Sequence, residues 1–304
     1  MSNYAYGRRK ISIGLFNFCF KHIMLLILSI ALIFMCVSCD LDNPLETKEL
    51  NDIKWIKDLE KGNNVMTENI SDNSLQSIHV EYTSGVFRLN KSENSQAYVE
   101  YEITSRGAND KNAEITVTQS EGNCNIKFSS GKILEGNCVY YINLYLPEKL
   151  INNIKVEMKN GKAYIADASC GKLTVGAQGG EIIIENTSAE DVTLSSVSGD
   201  IIFSGHSTSM YLETTSGNIS AQLDVMPQKL ICDVTSGFIT AAFPDSEDGY
   251  RITFTRGSGV IKSDFANEKT LSMWFEAGTA KYKQGKGSYF ADATSGTIYL
   301  KKIN

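Results

Sequence analysis

The chain has 304 residues, 42% hydrophobic and 21% charged, with 24 Gly, 4 Pro and a formal charge of −6. This composition excludes a disordered or collagen-like chain and leaves enough length to bury a sizeable core, as one long all-β domain or two ordinary domains. Residues 1–38 carry Arg8, Arg9, Lys10 and Lys21 and no acid, so the remainder stands at −10, which argues against a basic nucleic-acid footprint.

The first predicted element is an export signal. An apolar run from Ile23 to Val37 follows Lys21-His22 and ends at Ser38-Cys39-Asp40, after which the chain turns polar. The run is shorter than the ~20 residues of a spanning helix, and small Ser38 precedes Cys39 as a signal peptidase requires. The junction resembles a bacterial lipobox, which implies that Cys39 becomes the lipidated N-terminus and anchors the mature chain to a membrane. It departs at Cys36, where such boxes usually carry Leu. An uncleaved anchor over residues 11–37 and an ordinary cleaved signal are the alternatives, the first handicapped by Lys21-His22 in its middle. Residues 1–38 are thus read as a signal peptide and 39–74 as a polar tether, in which Leu50, Ile53, Ile56 and Leu59 could mark one short amphipathic helix.

From residue 75 the pattern changes to period two, with Ile78, Val80 and Tyr82 as the first alternating set, and short strands separated by Gly-containing turns are expected over 75–150. A repeat then occupies 151–304. Gly161, Gly180, Gly199, Gly217, Gly237, Gly259, Gly278 and Gly296 recur at separations of 19, 19, 18, 20, 22, 19 and 18 residues, five of them as Ser-Gly. Two residues after these glycines stand Ala163, Ile182, Ile201, Ile219, Ile239, Ile261, Ala280 and Ile298, and five before four of them Leu194, Leu212, Cys232 and Ala291. Columns of this kind stack at about 4.8 Å per strand and bury apolar surface that one coil could not. The expected fold is an all-β, right-handed β-solenoid of about eight coils of ~19 residues, with 75–150 capping or leading into it and 75–304 forming one continuous domain.

The Leu144-Tyr145-Leu146-Pro147 strand, the Ser198-Gly199-Asp200-Ile201 unit and the closing Thr294-Ser295-Gly296-Thr297-Ile298 resemble a family of bacterial adhesin-like domains of unknown function. The resemblance covers roughly residues 78–300. It implies an all-β solenoid in the cell envelope and supplies no catalytic residues.

Several constellations lie on this framework. Cys124 and Cys138 both follow Gly-Asn on strands that look paired, which suggests a disulfide; the plainer reading is a set of small buried side chains with Cys170 and Cys232. Glu213, Asp233 and Asp292 each stand four residues before a repeat glycine. Simple stacking separates Asp233 from Asp292 by two coils, so a solvated face is expected rather than a paired acid/base or calcium site. Thr215, Thr235 and Thr294 form a hydroxyl column, and Tyr211, Tyr250, Trp274, Tyr282, Tyr289 and Tyr299 could include an aromatic platform for sugars or could pack an end cap. Three histidines are a sparse supply for catalysis, and no zinc spacing, nucleophile elbow or phosphate loop is found.

The expectation is therefore a non-catalytic envelope lipoprotein without cofactor, held to a membrane by its lipid at the outer-membrane, periplasmic or surface face. It would act as an adhesin or scaffold toward a glycan or envelope protein and not toward nucleic acid. A carbohydrate-active β-helix enzyme and an envelope-stress sensor are the competing readings.

Overall fold

Alternation of apolar and polar residues over four to sixteen positions dictates strands, and strands are what form. The computed structural model describes residues 65–70, 75–93, 96–105, 114–129, 138–147, 151–265 and 277–303. The chain divides into two units, Met1–Lys57 and Asp58–Asn304. The export signal, Cys39, the candidate tether helix and Trp274 lie outside the described residues.

In chain order the strands are β1 (Met66–Ile70), β2 (Ser77–Tyr82), β3 (Gly85–Lys91), β4 (Ala97–Ser105), β5 (Glu114–Ser120), β6 (Asn123–Ser129), β7 (Cys138–Leu146), β8 (Ile151–Met158), β9 (Lys162–Ala166) and β10 (Ser169–Ala177). They continue as β11 (Glu181–Ser196), β12 (Asp200–Thr214), β13 (Asn218–Leu223), β14 (Lys229–Val234), β15 (Phe238–Pro244), β16 (Tyr250–Arg256), β17 (Val260–Ser263), β18 (Ala277–Tyr282), β19 (Gly287–Ala293) and β20 (Thr297–Ile303). Hydrogen bonds join them into one mixed sheet with no helix among the described residues.

The sheet is built as two parallel ladders. One runs β6, β2, β8, β10, the second half of β11, the second half of β12, β14, β19, β16. The other runs β7, β3, β9, the first half of β11, the first half of β12, β13, β15, β20, β17. Each strand–turn–strand unit contributes one strand to each ladder, and β11 and β12 pass from one ladder to the other, with a register shift between Ile184 and Thr187. This is a solenoid-like arrangement. Antiparallel strands appear only toward the ends: β4 on β7, β1 on β4 and β5 on β6 at one, β18 on β16 at the other. They pair strand edges that would otherwise be open.

The core is the predicted set of columns. Ala163, Ile182, Ile201, Ile219, Ile239, Ile298 and Ile261 pair in register and are all buried. Leu194, Leu212, Cys232, Ala291 and Phe254 do the same on the first ladder. Each large side chain so enclosed contributes roughly 1.5–3 kcal/mol.

The structure corrects three expectations. The units do not stack in chain order: β19–β20 lies between β14–β15 and β16–β17, and β2–β3 lies between β6–β7 and β8–β9. Gly278 marks no turn. It sits inside β18, antiparallel to β16, where an added Cβ would meet the Phe254 ring at 2.8 Å. Finally, Cys124 is a buried free thiol, so the Cys124–Cys138 bridge is not formed. The two strands are not neighbours: β6 pairs with β2 and β5, β7 with β3 and β4.

Candidate functional site

The turn edge of the stack is structural. Ser198, Ser216, Ser236 and Ser295 each donate their hydroxyl to a carbonyl of the neighbouring unit, those of Gln178, Val197, Thr215 and Thr235, at 2.8–3.0 Å. The same serines' amide groups donate to the same carbonyls. Beside them the glycines let adjacent backbones approach: a Cβ on Gly180 would lie 2.0 Å from the Gly161 carbonyl oxygen, and one on Gly217 2.0 Å from that of Gly199. Gly180 also has a φ of +105°, whereas Gly217 does not have a φ in the left-handed region, so at Gly217 close approach alone demands glycine. Gly161, Gly199, Gly237, Gly259 and Gly296 share that closeness. Thr215, Thr235 and Thr294 are exposed along the same edge.

The predicted aromatic set splits. Tyr250 and Tyr289 are buried and stacked, ring centroids 4.4 Å apart, with Phe243 stacked on Phe265 at 4.8 Å and Tyr282 against Tyr250 at 5.6 Å. These rings fill the core near the β18 end. The Tyr250 hydroxyl meets that of Ser263 at 2.7 Å, and burial pushes its pKa up to about 12. Tyr299 donates to Asp264 at 2.6 Å. Just outside the ring cluster Asp245 accepts from Lys283, Lys302 and Tyr282 at 2.8–3.0 Å; the two ammonium groups hold its carboxyl well below the usual range.

The outer face of the first ladder carries the chemistry. Glu213, Asp233 and Asp292 are direct register partners on β12, β14 and β19. The expected separation of Asp233 from Asp292 is overturned, because β19 is inserted next to β14. Elsewhere on this face carboxylates meet cations, Glu81 with Lys127 at 3.1 Å and Glu157 with Lys155 at 2.8 Å, and Glu157 also lies 2.7 Å from the His79 ring. In the acidic row Glu213 accepts from the Tyr211 hydroxyl at 3.2 Å and Asp292 from that of Thr255 at 2.7 Å. Asp233, between them, is pushed up by burial and by repulsion from Asp292 and then Glu213. Alternation sets a second row beside it, Tyr211, Ile231, Phe290 and Thr253, and a third, Ser209, Lys229, Ser288 and Arg251. Phe290 is 39% exposed, a large apolar side chain in the middle of this face. The sequence showed the acidic residues but not this adjacency. A signal was available in the identity of Thr235-Ser236-Gly237 and Thr294-Ser295-Gly296, turns that prove to stack directly, though Thr215-Ser216-Gly217 shares it.

Among the described residues no group of three or more His, Cys, Asp or Glu is arranged to hold a metal ion. A cleft of about 540 Å³ lies at the opposite corner, lined by Leu89, Leu146, Pro147, Ile151, Asp167 and Asn186 among others.

Comparison with the curated proteins finds no match. Among solved structures the chain is similar to a protein provisionally assigned to cell adhesion from Clostridium sporogenes, at 14% identity and TM-score 0.38, over 79% of this chain and 99% of that one. It is similar too to a provisionally assigned adhesin from Bacteroides fragilis (12% identity, TM-score 0.42, 80% and 98% covered). A provisionally assigned lipid-binding protein from Parabacteroides distasonis aligns at 17% identity and TM-score 0.39, covering 80% and 98%. The family assignment rests on another match: the model described as Toastrack DUF4097 covers residues 110–301, well over half of the sequence. The chain belongs to the Toastrack DUF4097 family.

Proposed function

We propose that the protein is a non-catalytic lipoprotein of the cell envelope, anchored through Cys39 at the periplasmic or surface face of the outer membrane, that displays the outer faces of its stack to a glycan or envelope protein. The coils are taken as right-handed, from the crossover rule for parallel strands. One observation carries the reading: outward side chains repeat in register from unit to unit, as in Ser220, Thr240 and Tyr299 on the second ladder, so chemistry is spread along the outer faces. Repetitive faces suit weak, multivalent contact. The test is a pull-down and glycan-array screen of the detergent-solubilised chain, with metabolic palmitate labelling of the wild type and of Cys39→Ala. Retention of a glycan or envelope protein, and loss of label in the variant, support the proposal. Label that persists without Cys39 refutes the anchor.

A second reading, a carbohydrate-active enzyme, is favoured by the adjacency of Asp233 and Asp292, since glycosidases work with a close carboxyl pair of which one has a raised pKa. Polysaccharide turnover that disappears in Asp233→Asn would establish it and overturn the non-catalytic role.

A further inference from the structure

We propose that the outer face of the first ladder, over β12, β14, β19 and β16, is the interface at which two copies of this chain associate face to face. Three rows run along the stack there. At the centre lie Tyr211, Ile231, Phe290 and Thr253; on one flank Glu213, Asp233, Asp292 and Thr255; on the other Ser209, Lys229, Ser288 and Arg251. Rows two residues apart on a strand are about 7 Å from one another, and successive units about 4.8 Å.

This face is self-complementary under one symmetry operation. A two-fold axis lying along the central row turns the acidic flank of one copy onto the basic flank of the other and sets the Tyr-Ile-Phe row against itself. Lys229 then faces Asp233 of the second copy, and Arg251 lies one unit from its Asp292. An axis along the strands would instead oppose like charges, so the charge pattern selects the first arrangement. Such an interface is isologous: the Lys229–Asp233 contact occurs twice. The copy supplies what the isolated chain lacks. The exposed Phe290 ring gains an apolar neighbour, and the Asp233 carboxyl, raised by burial and by its two acidic neighbours, gains a facing cation. With the axis parallel to the stack both copies point the same way, so lipid anchors on the two would reach one membrane, and the outer faces of the second ladders remain free for a partner.

The experiment measures mass by sedimentation and light scattering on the full chain in detergent, with micelles in excess over protein, for the wild type, Asp233→Lys, Lys229→Asp and the double variant. A wild-type dimer is expected. Each single reversal should weaken it at least about tenfold, since like charges then face each other twice. The double variant, with the charges exchanged, should restore it. Asp233→Lys relieves repulsion within the chain, so unchanged or higher thermal stability together with lost association separates interface from fold. In a Phe290→Cys variant the symmetric position, about 10 Å from its counterpart across two packed sheets, should yield a dimer cross-linked by a short bis-maleimide. A monomeric wild type, single variants that still dimerise, or a double variant no better than either single one would overturn the proposal.

Discussion

Replacing Gly217 with Ala perturbs one of the closest contacts in the stack. The new methyl would sit 2.0 Å from the Gly199 carbonyl oxygen and 2.9 Å from its carbon, where ordinary contact begins at 3.4 Å. The neighbouring backbones must therefore separate by roughly 1.4 Å, since rigid main chain, not a flexible side chain, is the obstacle. That displacement strains bonds on both sides: Ser216 N to Val197 O at 2.9 Å, Phe238 N to Gly217 O at 3.3 Å, and the Gly217 N–H to the Thr214 hydroxyl at 2.9 Å. Overpacking costs about 1–3 kcal/mol and each lost bond about 1 kcal/mol, so a destabilisation of about 4 kcal/mol is expected. Ser216→Ala, one residue away, removes only an exposed hydroxyl bond to Val197 and should cost about 0.5–1 kcal/mol. Urea unfolding followed by circular dichroism, with the midpoint and slope compared across the three proteins, measures both. If Gly217→Ala falls within about 1 kcal/mol of wild type, or costs no more than Ser216→Ala, close approach is not what the glycine column serves.

Other predictions concern single groups. The Asp245 carboxyl is depressed by Lys283 and Lys302, so its stabilisation is present above the unfolded carboxylate value of about 3.9 and is lost as pH falls through the lower folded value. Asp245→Asn should therefore lower the melting temperature at neutral pH, and its deficit should close in strong acid; a gap that widens on acidification would contradict the ion cluster. Burial pushes the Cys124 thiol up to about 11 and Cys170 to about 12, and raises Cys232 as well. At pH 8 about one in a thousand Cys124 thiols is ionised, so alkylation read by mass spectrometry should be more than about a hundredfold slower in the native chain than in urea. Tyr250→Phe, which removes only the Ser263 bond, should cost about 1 kcal/mol, and Tyr250→Ala, which opens the ring cluster, about 3–5 kcal/mol by thermal unfolding.

Much of the molecule was legible because its physics is periodic. Ile201, Ile219 and Ile239 announce a buried column by recurring at one distance from glycine, and seven of the eight repeat glycines indeed stand where neighbouring backbones meet. Gly278 deceived by its spacing. The strand around it fully buries only Ala280, and it closes the stack as an antiparallel edge. The candidate face was half legible: alternation puts Glu213, Asp233 and Asp292 outside, yet their contact depends on which unit lies beside which.

The sequence by itself determined the strands, the apolar columns and the glycine edge, because these follow from local alternation and residue chemistry. Only the tertiary structure decided the order of stacking. Interior parallel strands with Ile, Leu, Val and Ala at the same positions can pair with several neighbours, so the local pattern does not fix which one is taken. Here the last unit enters between two earlier ones, which leaves β16 outermost with β18 to cover it and brings Asp292 against Asp233.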